Sequence, residues 1–235
     1  MYRNLNSDKV LETIEQLGNR IEERFPNSKL KGVCDSLLEL ARDSKAKATW
    51  IARPHYPLRA GIALVIVLGL GALGYSLSLV EFEENSVGLS DWVLVVEAGI
   101  RDALFVGAAV FFLTTLETRF KRNRALKALH EVRALAHVID MHQLTKDPNG
   151  IVNSPAIITP SSPARDMTPF ELNRYLDYCS ELLSLTGKIA AMYIQGFRDS
   201  VTLSAVNDIE NLTNDLSRQI WQKLMILQAS YREEQ

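Results

Sequence analysis

Residues 60–80 read AGIALVIVLGLGALGYSLSLV, a run of 21 residues without a charged side chain. At ~1.5 Å per residue, a helix of that length crosses a hydrocarbon core of ~30 Å, so the run predicts a transmembrane helix over 58–80. It does not read as a secretory leader, because a long polar, helix-patterned segment precedes it and no small-residue cleavage pattern closes it.

A second apolar stretch, WVLVVEAGIRDALFVGAAVFFLTTL over 92–116, is interrupted by Glu97, Arg101 and Asp102. Its uninterrupted part, 103–116, makes only about 21 Å of helix, so a second span over 92–118 holds its charged turn in or near the outer leaflet. Between the spans, 81–91 carries Glu81, Glu83, Glu84 and Asp91 and no base, whereas Lys45, Lys47, Arg53 and Arg59 precede the first span and Arg119, Lys121, Arg122, Arg124 and Lys127 follow the second. This bias predicts cytoplasmic termini, an external acidic loop and a plasma-membrane or bacterial inner-membrane location. Arg119, Lys121, Arg122 and Arg124 are also candidates for contact with lipid head groups.

With the spans aligned in depth, Glu97, Arg101 and Asp102 stand level with Tyr75, Ser76 and Ser78. Together these form an intramembrane polar cluster in which Glu97 and Arg101 can pair at i,i+4. Gly99, Ala103 and Gly107 repeat every four residues as a small-residue ridge for close helix packing, and Gly69, Gly71 and Gly74 offer the same on the first span. Glu97, Arg101, Phe105 and Phe112 point the other way. Two spans with two such faces predict a homo-oligomer.

The flanking segments carry helical patterns. Val10, Ile14, Leu17, Ile21 and Phe25, then Leu30, Val33, Leu37, Leu38 and Ala41, predict an amphipathic helical hairpin over 1–53, broken at Pro26. The pattern Leu126, Leu129, Val132, Ala136 and Ile139 extends the second span as a cytoplasmic helix over 119–144. A loop over 145–167 follows, holding four of the eight prolines. Thr168-Pro169-Phe170-Glu171 has capping-box spacing with proline at N1, and it opens a second hairpin over 168–235. In that hairpin, Leu172, Tyr175, Leu176, Cys179, Leu182, Leu183, Ala190 and Tyr193 mark one core face, and Ile209, Leu212, Leu216, Ile220, Leu224, Leu227 and Tyr231 the other. The predicted fold is therefore an all-α integral membrane protein: a two-span hairpin with a cytoplasmic bundle built from both ends of the chain.

The net charge of -2 and pI near 6.1 give no basic stripe of the kind that nucleic acid requires. Cys34 and Cys179 stand far apart within apolar patterns and read as small core residues. No phosphate loop, His-Glu-x-x-His or Gly-x-Ser-x-Gly motif is present. His130, His137 and Asp140 are weak metal candidates, outweighed by a hydrogen-bonded polar layer, so neither a metal nor a cofactor is expected. These readings favour a non-enzymatic oligomeric membrane protein whose cytoplasmic domain serves regulation, scaffolding or docking of a protein partner. The alternative is an oligomeric ion channel with a charged outer vestibule gated by the cytoplasmic bundle.

Overall fold

The computed structural model describes residues 5–78, 89–146 and 167–233, together with positions 148 and 161. Most of the 145–167 loop and of the 81–91 connection therefore lies outside the described residues. Among those described, the chain is all-helical, with no strand. It divides into one unit formed by Met1–Ala52 and Arg124–Gln235 and another formed by Arg53–Asn123.

In the first unit, α1 (Ser7–Arg24) starts where the Asn6 side chain accepts the Asp8 backbone N–H at 2.9 Å, and it buries Val10, Ile14, Leu17 and Ile21. This is the four-three-four spacing that puts one apolar stripe on a helix. Asn27 turns the chain in the left-handed region at φ 59°, a conformation asparagine tolerates better than most residues. Helix α2 (Lys29–Ala52) follows and packs back on α1 where Gly18 faces the Cys34 thiol: a methyl group on Gly18 would lie 3.4 Å from that sulfur.

Helices α3 (Tyr56–Ser78) and α4 (Leu89–Leu144) come next in the chain. The second part of α4 contributes Ala125, Ala128, Leu129, Val132, Ala136 and Ile139 to the core of the first unit. Leu126, expected inside, is half-buried, because the stripe is centred on Ala125 and Ala128. At the end of α4 the Lys223 ammonium donates to the Gln143 carbonyl oxygen and to its Oε1, each at 2.7 Å. The same carbonyl accepts the Lys146 N–H at 3.1 Å, so the cation adds a second donor at the negative end of the helix.

The capping box is present at α5 (Pro169–Ala191). The Glu171 N–H donates to Thr168 Oγ1 at 3.2 Å, and the Thr168 N–H donates to Glu171 Oε2 at 2.7 Å. Beyond the expected core face, α5 also buries Tyr178, Leu185, Thr186, Gly187 and Ile189. It packs against α1, against α2 and most extensively against α6 (Ser200–Glu233). A polar stripe through Arg174, Asp177, Glu181, Ser184 and Lys188 is left partly uncovered, and neighbouring helices enclose α5 on its other sides. The buried Thr186 hydroxyl fits there because it donates to the Leu182 carbonyl at 2.8 Å. A 3-10 turn, Met192–Ile194, precedes α6, and Asp199 Oδ2 accepts the Thr202 N–H at 3.0 Å to start that helix.

Cys34 and Cys179 are buried and unpaired with one another. Burial pushes the Cys34 thiol up to about 11 and that of Cys179 up to about 12, so both stay protonated near neutral pH and are poor nucleophiles.

Two tests follow from the caps and the core. Thr168→Ala removes a side-chain cap and is expected to cost about 1 kcal/mol in denaturant unfolding. His142 is held below its usual value by burial and then by the charges of Lys29 and Lys146. The unfolded chain therefore binds this proton first as the pH falls through the ordinary histidine range, and stability drops there. In melting curves recorded across that range, His142→Asn is expected to show the smaller fall in midpoint.

Candidate functional site

In the second unit, α3 and the first part of α4 meet along one narrow stripe. Half-buried positions on α3 include Leu58, Ile62, Val65, Gly69 and Leu73, and those on α4 include Val95, Gly99, Asp102, Val106 and Leu113. The contact is a knob in a notch: a methyl group on Gly69 would fall 2.2 Å from a Val106 methyl. One on Gly99 would lie 3.9 Å from Leu73. These two contacts order the helices antiparallel.

The small-residue expectations resolve unevenly. Gly69 and Gly99 sit at the contact, whereas methyl groups on Gly71, Gly74 and Gly107 would meet nothing within 4 Å, and Ala103 is exposed. The α4 stripe runs through Gly99, Asp102 and Val106, not along Gly99, Ala103 and Gly107. A glycine notch takes a valine knob here.

The charged turn is divided by the same geometry. Asp102 is half-buried and shares the stripe with Gly99 and Val106, while Glu97 and Arg101 are exposed on the opposite, outward face. No ion pair joins Glu97 to Arg101 among the described residues. Around them Trp92, Val96, Ile100, Leu104 and Phe105 line an open apolar groove of about 990 Å³. Tyr75 is exposed, and the Ser78 hydroxyl donates to the Tyr75 carbonyl at 2.8 Å, which satisfies it within its own helix. The side chain of Ser76 lies outside the described residues.

The basic segment after the apolar stretch is likewise heterogeneous. Arg119 is exposed. Lys121 is buried, donating to Glu117 Oε1 at 2.8 Å with only 11% and 15% of the two side chains exposed, so it is not a free head-group ligand. The same carboxylate oxygen accepts the His55 backbone N–H at 3.2 Å, tying the proline-flanked turn before α3 to α4. Arg122 is half-buried, and the Arg124 guanidinium stacks 4.1 Å from the Trp50 ring centroid. Glu117 and Trp50 escaped the sequence reading, although glutamate four residues before lysine is the favourable order for a helical pair.

His130 and His137 are exposed on α4, and Asp140 accepts from the Gln143 amide at 2.5 Å. Among the described residues no three His, Cys, Asp or Glu side chains are grouped as metal ligands. Compared with known proteins, the chain matches no family model, no curated protein and no solved structure.

Valine is stiff about χ1, so Val106 yields poorly to an added methyl. Gly69→Ala is therefore expected to lower the melting midpoint in detergent by an amount equivalent to about 1–3 kcal/mol of overpacking. Gly71→Ala, which meets open space, should hold or raise the midpoint, and adding Val106→Ala to Gly69→Ala should recover most of the loss.

Proposed function

We propose that this is a non-enzymatic, oligomeric inner- or plasma-membrane protein in which α3 and the first part of α4 form a two-span hairpin. Both termini are then cytoplasmic, and the helical bundle of the first unit serves regulation, scaffolding or docking of a protein partner. The observation that carries this reading is the outer surface of the second unit. The segment within Lys29–Tyr75 that is long and apolar enough to cross a bilayer has a mean hydropathy of 1.9 and no buried share. On α4, Leu104 is 69% and Phe111 72% exposed, with Phe105, Phe112 and Ile100 beside them. Apolar surface on that scale is unfavourable in water and favourable in lipid. The helices satisfy their own backbone groups, as hydrocarbon demands.

Oligomerisation rests on the outward face of α4. In lipid, the exposed Glu97 and Arg101 need a polar partner or water, and a second copy of the same face supplies both charges. This placement also favours the channel reading: if several copies turn Glu97 and Arg101 toward a common axis, the ring of charge selects ions, with Phe105 and Phe112 as an apolar constriction below it.

Deleting residues 60–116 should release the chain from the membrane fraction; a deleted chain that still floats with membranes would refute the two-span reading. The lipid-corrected mass of the intact assembly in nanodiscs should be a multiple of 26.4 kDa. Four or more copies with measurable conductance, altered by Glu97→Gln or Arg101→Gln, would establish the channel. A dimer without conductance would leave regulation or docking by the bundle.

A further inference from the structure

At the end of the bundle where α2 and α5 begin and α4 stops, a recess of about 620 Å³ opens among Lys29, His142, Lys146, Met141, Met167 and Tyr175. Its described lining contains two lysines and a histidine and no carboxylate. Lys29 is the first residue of α2, whose first turn carries no acidic side chain, so the positive end of that helix is not offset from within. Lys146 stands with its ammonium 5.3 Å from the Tyr175 ring centroid, and the Tyr175 hydroxyl lies 3.3 Å from His142 Nδ1. Burial, and then the charges of Lys29 and Lys146, favour the neutral form of His142, which leaves the two lysines as the positive charges of the recess. An anion placed between the two lysines would be attracted by both, with the His142 ring and the Tyr175 hydroxyl beside it as hydrogen-bonding groups.

The dimensions narrow the ligand. A bare inorganic anion needs far less room than this recess, whose size is that of a small organic ligand site. Its remaining wall combines Met141, Met167 and the Tyr175 ring with the hydroxyl-bearing Ser28 and Thr145. We propose that the recess binds a small phosphorylated molecule, with the phosphate between Lys29 and Lys146 and the organic portion against Met141, Met167 and Tyr175. The site lies wholly within the first unit, so the inference stands apart from the membrane reading.

The test is calorimetric titration of the full chain, in micelles of a neutral detergent, with phenyl phosphate, inorganic phosphate, benzoate and phenol. Saturable binding of phenyl phosphate is expected, tighter than that of inorganic phosphate because the ring adds apolar contact, with phenol inert and benzoate weaker. Lys29→Gln combined with Lys146→Gln should weaken phenyl phosphate about tenfold or more, the loss of at least one charge-assisted contact. Lys9→Gln combined with Lys188→Gln, which alters a different groove between α1 and α5, should leave binding unchanged. Melting curves of both doubles should match that of the parent chain. Absence of saturation into the millimolar range overturns the proposal. So does equal weakening by the two doubles, or benzoate binding as tightly as phenyl phosphate.

Discussion

A helix closes its backbone hydrogen bonds within itself, and α4 depends on that property along its whole length from Leu89 to Leu144. The same unbroken ladder carries Leu104 and Phe111, which turn apolar side chains outward, and Ala128 and Val132, which are buried among other helices. Neither setting asks anything further of the backbone, so the surroundings of the side chains can change from one turn to the next. Between Glu117 and Leu144 no glycine or proline interrupts the helix, and its end is met by the Lys223 ammonium.

The elements with strong local signals were legible from the sequence. The stripe Val10, Ile14, Leu17 and Ile21 marks α1, and Thr168 to Glu171 marks the start of α5, because periodicity and capping are written within one turn or two. The centrality of α5 was not legible. Tyr178, Thr186 and Gly187 do not read as core residues, yet each is buried because neighbours arrive from α1, α2 and α6. Burial on a second side depends on where other helices lie, and periodicity along one helix carries no information about that.

Around the candidate site the limit was of the same kind. Gly69 could be recognised as a place of close approach, but nothing local says whether a glycine or a valine arrives there, and Val106 does. Lys121 stands in a row of bases and looks like the others. Only its contact with Glu117, which also holds the His55 backbone, separates it from Arg119. The division of Glu97 and Arg101 from Asp102 follows from a rotation of the contact stripe by a fraction of a turn, less than a small-residue pattern specifies.

The centrality of α5 also bears on the order in which the protein is made. Ile14, Leu17, Leu30 and Leu37 are fully buried in the finished unit, and α5, which packs on both α1 and α2, is translated long after them. At ~5–20 residues per second, the first two helices leave the ribosome roughly seven to thirty seconds before that helix is complete. Over that interval the amino-terminal pair presents an open apolar side, while the hydrophobic stretch behind it is already emerging. A domain whose packing partners followed one another directly in the chain would shorten that exposure.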